Sequence, residues 1–238
     1  TRMAEVRAAR ATHSQRLAFE PRDLGPLLGA PAASDTIGGV IACNLSGPRR
    51  SHAGAARDHL LGFRAVSGRG EEFKSGGRVV KNVTGFDLSK LMAGSFGTLG
   101  VMSEVTFKVV PAAEKTRTVL VLGAGDEDAV RAMAAALASS NEVSAAAHLP
   151  APTAAASGVP YVSGAGGAVT AVRVEGPGPS VDYRCRAPKD LLAEFGDVEE
   201  LHTVASKNLW RVVGDVPYFT GDWDSQQWRD FAPPAAGA

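Results

Sequence analysis

Two glycine-rich segments contain the residues of this chain whose types and spacing are best suited to binding a ligand. The first runs from Thr36 to Arg50, and the second runs from Lys81 to Val101. Glycine lets the backbone approach a ligand closely, and free backbone N–H groups at a helix start or in a turn can bind an anion. The two segments therefore predict one groove for an extended, phosphate-bearing cofactor. Two tight turns without a ligand are the alternative, since glycine usually marks a turn.

The elements that must position these segments are predicted from capping residues and hydrophobic alternation. Asp35 and Thr36 can cap a short helix from Gly38 to Leu45, and Asp87 can cap another that ends at Met92. An amphipathic helix pattern covers residues 3–19. Alternation predicts strands at residues 60–66, 71–73 and 101–109, the first two forming a hairpin.

The composition changes after Pro111, and this change predicts a domain boundary. We predict domains at residues 1–111 and 112–214, followed by a tail at 215–238. In the second domain, strands are predicted at 116–122, 143–148, 169–174 and 208–213, and helices at 126–138 and within 180–195, mainly from Pro188 onward. That βαββαβ order predicts a ferredoxin-like two-layer domain. Residues 150–167 are rich in Ala, Gly, Pro and Ser and predict a loop.

The bulk composition excludes several classes of protein. The chain has 25 Lys and Arg residues and 25 Asp and Glu residues, so no net field attracts nucleic acid or a membrane surface. No run approaches the roughly eighteen uncharged residues of a membrane span, and no signal-peptide pattern is found. Cys43 and Cys185 are far apart, which favours free thiols in a reducing compartment. We expect a soluble, cytoplasmic protein that does not bind nucleic acid.

Three stretches, residues 38–50, 81–91 and 97–101, resemble the FAD-binding domain of the vanillyl-alcohol oxidase (PCMH-type) flavoproteins. Within that family they are most similar to the FAD-binding subunits of bacterial glycolate oxidases, and the strong similarity covers about residues 30 to 111. The resemblance implies an α+β fold, with part of a PCMH-type FAD-binding domain followed by a ferredoxin-like cap. It implies FAD as the cofactor and the oxidation of a small 2-hydroxy acid, namely glycolate to glyoxylate. The apolar residues around Cys43 lead us to expect that the FAD is non-covalent.

The resemblance also implies which residues lie against FAD. Ten positions match the family's cofactor-binding segments: Thr36, Ile37, Gly38, Gly39, Asn44, Ser46, Gly54, Asp58, Gly100 and Val101. For Asp58, a structural salt bridge is as good an interpretation as a ligand contact. Cys43 lies among apolar residues, which favours an inert thiol over a covalent flavin link. No catalytic residue is indicated, and the histidines show no metal-ligand spacing.

The partners follow from the same resemblance. It implies a second FAD-linked subunit and a separate iron–sulfur subunit, in a complex that is cytoplasmic or peripheral at the inner face of the cytoplasmic membrane. Two alternatives stay open: an autonomous FAD-dependent D-lactate or other 2-hydroxy-acid dehydrogenase, and a flavin-free scaffold subunit. Arg49 and Arg50 could orient an anionic substrate, although a solvated loop or a partner contact is favoured.

The family places another subdomain, with a glycine-rich phosphate loop, before the segments found here. No such loop is found in this sequence, so we expect an internal fragment or a degenerate relative. Such a chain would supply one side of the FAD clamp and would bind FAD weakly.

Overall fold

The computed structural model describes residues 1–79 and 85–219. Within them the helices are α1 (Met3–Ala11), α2 (Ile37–Ala42), α3 (Arg50–Ala53), α4 (Leu88–Met92), α5 (Asp126–Ala138), α6 (Ala151–Ala155), α7 (Pro160–Ser163), α8 (Gly178–Arg184), α9 (Arg186–Leu192) and α10 (Thr203–Asp215). The strands are β1 (Gln15–Arg16), β2 (Leu60–Val66), β3 (Glu72–Gly76), β4 (Val101–Phe107), β5 (Val110–Pro111), β6 (Lys115–Leu122), β7 (Val143–Leu149), β8 (Val169–Gly176) and β9 (Asp197–Leu201). No helix in these ranges is long and apolar enough to cross a membrane.

The first part of the chain is built on a three-stranded antiparallel sheet with the order β3-β2-β4. The predicted hairpin is present as β2 and β3, and β4 pairs with the other edge of β2. Phe63 and Ala65 alternate along β2 and pack against Met92 of α4, while Leu60 packs with Ile41 of α2. The sheet therefore carries the two helices that belong to the glycine-rich segments.

The second part has a four-stranded antiparallel sheet with the order β7-β8-β6-β9. Apart from α6 and α7, which lie between β7 and β8, the chain order is β6-α5-β7-β8-α8/α9-β9. This order is βαββαβ, so the predicted ferredoxin-like topology is confirmed. Val119 faces the core formed with α5 and α9, whereas Leu120 faces the opposite core formed with α10. The predicted two-layer arrangement is thus incomplete, because α6, α7 and α10 cover the second face of the sheet. Because both faces of the sheet are covered, most residues of β6 and β8 are buried.

Several predicted elements of this part are wrong. Residues 208–213, predicted as a strand, lie in α10, where Ser206, Leu209 and Trp210 are buried at helical spacing; the fourth strand is β9. The predicted helix from Pro188 onward is α9, which begins two residues earlier, at Arg186, and a separate helix, α8, precedes it from Gly178.

The predicted loop at residues 150–167 contains α6 and α7, each with a proline in its first turn. Proline is tolerated there because those N–H groups have no intrahelical partner. The boundary at Pro111 stays a prediction; β5 ends at Pro111 and β6 begins at Lys115. Most of the predicted tail, residues 220–238, lies outside the described residues.

Candidate functional site

The first turn of α2 contains two glycines, Gly38 and Gly39, so no side chain covers the backbone there. Thr36 caps the helix, and its Oγ1 accepts a hydrogen bond from Gly39 N at 3.1 Å. The buried side of the helix is formed by Ile37, Val40 and Ile41. A Cβ built at Gly38 would meet no atom within 4 Å, and one at Gly39 would meet only the Thr36 hydroxyl, at 3.3 Å. The neighbouring residues therefore do not require glycine at position 38, and that face of α2 is open to a ligand.

The other end of α2 joins the two glycine-rich segments. Gly94 N donates to Ile41 O at 3.1 Å, and Phe96 N donates to Ala42 O at 2.9 Å. Gly94 has φ of 87°, and a Cβ there would lie 3.3 Å from the Cβ of Asn44. The second segment is thus fastened to the last carbonyl groups of the helix that begins the first segment. Residues 81–84, at the start of the second segment, lie outside the described residues.

Val101 is the first residue of β4, and Gly100 directly precedes it. A Cβ at Gly100 would lie 2.8 Å from Val66 O, so glycine is required there by the close approach of β2. Val101 is 70% exposed. The next residues of β4, Met102 and Ser103, share a cavity of about 440 Å³ with the predicted site residues Thr36, Ile37 and Gly38. The start of β4 therefore lies beside the start of α2.

The four remaining predicted site residues lie in the segment after α2 and stabilise its conformation. They are Asn44, Ser46, Gly54 and Asp58. Asn44, with φ of 51°, accepts from Arg57 N at 2.8 Å through its Oδ1. Ser46 Oγ accepts from Ala56 N at 3.0 Å. Asp58 Oδ2 accepts from Ala55 N at 2.9 Å, and Gly54, with φ of 84°, leaves room for that carboxylate. These side chains are therefore engaged with the backbone of their own loop.

A buried ion cluster between the two parts of the chain was missed by sequence reasoning. Arg49 donates to both carboxylate oxygens of Glu175, at 2.6 and 2.9 Å. Arg173 donates to both oxygens of Glu20 at 2.8 Å, and Arg16 donates to Glu175 at 3.0 Å. These five residues form what we call the inter-domain ion cluster. Because Arg49 is held in it, the prediction of a solvated loop at Arg49 is wrong.

The centre of the cluster is deeply buried. The side chains of Arg173 and Glu175 are 1% and 3% exposed, and the Arg173 guanidinium lies 4.6 Å from the centroid of the Trp210 ring. Burial opposes ionisation of Glu175, but the hydrogen bonds from Arg49 and the charges of Arg173, Arg49 and Arg16 outweigh it and hold its pKa well below the ordinary value. Glu175 is therefore an anion at neutral pH.

One signal in the sequence could have indicated this cluster. Arg173 and Glu175 are two residues apart in β8, whose other residues from Val169 to Val174 are apolar apart from Thr170. Two charges on one side of a buried strand need partners. Glu20 and Arg49, however, lie in irregular segments more than a hundred residues away, where no pattern marks them.

The other candidates take no part in a site among the described residues. Cys43, at the C-cap of α2, is a half-buried free thiol. Within residues 1–79 and 85–219, no group of three or more His, Cys, Asp or Glu side chains has an arrangement that could hold a metal ion.

Comparison with known proteins relates the chain to flavoproteins. No family model matches it. It is 45% identical to glycolate oxidase subunit GlcE of Escherichia coli (strain K12) over 111 residues, which are 47% of this chain and 30% of that protein. It is 41% identical to glycolate oxidase subunit GlcD of Bacillus subtilis (strain 168) over 87 residues, 37% of this chain and 18% of that protein. A D-lactate dehydrogenase of Anaerostipes hadrus is 37% identical over 95 residues, 40% of this chain and 20% of that protein.

The chain spans less than a third of the length of each of these relatives. Among solved structures, alkyldihydroxyacetonephosphate synthase matches 90% of this chain and 40% of its own, with a TM-score of 0.64 and 19% identity. That similarity concerns the fold alone. The chain is thus similar to glycolate oxidase subunits and to an FAD-linked oxidoreductase, and the PCMH-type fold that its glycine-rich segments predict is confirmed.

Proposed function

We propose that this chain is the FAD-binding part of a glycolate oxidase subunit, which oxidises glycolate to glyoxylate. The observation that carries the proposal is the attachment of the second glycine-rich segment to the end of α2, through Gly94 N and Phe96 N. The attachment brings together the two segments that the family uses for FAD, in a chain whose relatives include glycolate oxidase subunits.

The residues fit the cofactor at the start of α2. The open space over Gly38 allows a bulky group to approach the helix backbone directly, as FAD binding requires. FAD, when bound, would accept the two electrons removed from the 2-hydroxy acid. The chain's own part is to bind and orient the cofactor. Asn44, Ser46 and Asp58 would act by shaping the loop around Gly54, since each already accepts a backbone hydrogen bond.

The proposal extends to partners and location. Three large apolar side chains of the second segment are exposed: Phe86 is 92% exposed, Phe96 72% and Val101 70%. Large exposed apolar side chains are common at protein–protein contacts, which supports a second FAD-linked subunit as a partner. A separate iron–sulfur subunit would carry the electrons onward. We place the complex in the cytoplasm or at the inner face of the cytoplasmic membrane.

A second candidate function is a FAD-dependent D-lactate or other 2-hydroxy-acid dehydrogenase, which the similarity to a D-lactate dehydrogenase favours. The two candidates share the cofactor and differ in substrate. Steady-state reduction of an artificial electron acceptor by the assembled complex, with glycolate and D-lactate in parallel, separates them. A higher kcat/KM for D-lactate would overturn the glycolate assignment.

Binding of FAD is tested through Gly38. We expect the wild-type chain to quench flavin fluorescence in a saturable titration, and Gly38→Leu to weaken FAD binding at least tenfold by filling the open space. The melting temperature of Gly38→Leu should stay at or above that of the wild type, because a Cβ at this position meets no neighbouring atom and Leu favours helix more than Gly. Gly68→Leu, at another glycine with no atom within 4 Å, is the matched control.

Two results would contradict the proposal. Absence of FAD binding in the wild-type chain up to millimolar concentration would support the flavin-free scaffold. Equal FAD affinity in Gly38→Leu and Gly68→Leu would remove the start of α2 from the cofactor site.

A further inference from the structure

A cavity of about 400 Å³ lies beside the inter-domain ion cluster. Arg7, Arg16 and Arg22 line it from the first part of the chain, and Lys207 and Arg211 line it from α10. None of the ten predicted FAD-site residues lines this cavity. The volume is in the range of small-molecule sites.

The lining of this cavity is strongly basic. Its cationic side chains are Arg7, Arg16, Arg22, Arg49, Arg173, Lys207 and Arg211. Its acidic side chains are Glu20, Glu175 and Asp215. Two of these acids are already bound to arginines within the cluster. The third, Asp215, accepts from Asp23 N at 3.0 Å. The three acidic side chains therefore do not neutralise all the cationic side chains that line the cavity.

Three of the cations have no ion-pair partner within residues 1–79 and 85–219: Arg22, Lys207 and Arg211. Lys207 and Arg211 are four residues apart on α10, where like charges repel. The Nε atoms of Arg22 and Arg16 are buried without a hydrogen-bond acceptor in the described part of the chain. A buried N–H donor without an acceptor is costly, so these two donors indicate an absent acceptor.

We infer that this cavity binds a small multivalent oxyanion, of which inorganic phosphate and a tricarboxylate such as citrate are examples. Guanidinium groups bind carboxylate and phosphate oxygens through paired N–H donors. Arg22 and Arg16 supply buried donors, and the exposed Lys207 and Arg211 supply charge at the mouth. Because several cations need neutralising, an anion with more than one charge fits better than a monovalent one. The inference does not rest on the proposed function.

The test measures anion binding at constant ionic strength. The melting temperature of the wild-type chain is recorded with citrate, phosphate, glycolate and chloride, each balanced with NaCl, and affinity is measured by calorimetry. We expect citrate or phosphate to raise the melting temperature above glycolate and chloride. Arg22→Gln with Arg211→Gln should weaken the affinity at least about tenfold, since each lost hydrogen bond to a charged group is worth about that factor.

The matched control removes two exposed cations elsewhere, Arg69→Gln with Lys74→Gln on the β2–β3 hairpin, and should leave the affinity unchanged. Equal melting temperatures in all four anions would overturn the inference, as would equal affinity in the two double variants. Competition between citrate and FAD would overturn it too, because the cavity would then belong to the proposed flavin site. Anion binding without FAD binding would refute the proposed function and leave this inference standing.

Discussion

Replacing Glu175 by Gln tests whether the inter-domain ion cluster holds the two parts of the chain together. The substitution keeps the shape of the side chain and removes the charge that faces Arg49, Arg173 and Arg16. Removing one partner of a buried ion pair typically costs about 3–5 kcal/mol, because the other charge stays buried. We expect the lower end, about 3 kcal/mol, since Glu20 still pairs with Arg173 and Arg16 is 28% exposed.

Differential scanning calorimetry measures this loss. For a chain of this size, a loss of about 1 kcal/mol lowers the melting temperature by about 2–4 °C, so a fall of about 6–12 °C is expected at pH 7. Glu104→Gln is the control, because Glu104 and its partner Arg64 are 60% and 58% exposed. An exposed pair contributes about 0–1 kcal/mol. Equal melting temperatures in the two variants would refute the view that the cluster is a buried electrostatic contact.

The pH dependence of the melting temperature, compared between wild type and Glu175→Gln, tests whether Glu175 stabilises the folded chain as an anion. The pKa of Glu175 is lowered on folding from its ordinary value of 4.5, so the folded state holds the carboxylate ionised where the unfolded chain binds a proton. The stabilisation is therefore fully present above about pH 4.5 and decreases as the pH falls below it. The difference in melting temperature between wild type and Glu175→Gln should be constant from pH 8 to 6 and shrink below pH 4.5. A difference that grew on acidification would contradict the assignment.

Three further predictions concern Gly47, the two cysteines and the linkage of FAD. Gly47→Ala should destabilise the chain by roughly 3 kcal/mol, seen as a lower melting temperature, because the added Cβ would lie 2.1 Å from Glu20 O. Burial raises the pKa of Cys185 to about 11, so Ellman's reagent at pH 8 should modify Cys43 in the folded chain and Cys185 only after denaturation; equal rates would contradict this. Any bound FAD should leave with the supernatant after acid precipitation, and yellow colour in the pellet would show a covalent link.

The sequence by itself determined the local structure that carries the glycine-rich segments. The cap at Thr36, the cap at Asp87, the hairpin after Leu60 and the strand from Val101 are all present. Each depends on residues that are close along the chain, so capping and alternation suffice to predict it. The family resemblance rests on the same segments, for which contiguous residues carry the information.

The second part of the chain shows where local patterns are insufficient. The segment around Leu209 and Trp210 was predicted as a strand, yet tertiary packing against the sheet makes it helical, with Trp210 Nε1 donating to Thr118 Oγ1 at 2.8 Å. A short apolar run does not distinguish a strand from a buried helix. The prolines of α6 and α7 similarly read as breaks, although each stands at the start of a helix.

The pairing within the inter-domain ion cluster was decided by the tertiary structure. Glu20 and Arg173 are 153 residues apart, and Arg49 and Glu175 are 126 residues apart. A charged residue in a loop has the same local pattern whether it is solvated or paired in the interior. Only the docking of β8 against the loops around Glu20 and Arg49 removes water from these groups, and that loss of water makes their pairing necessary.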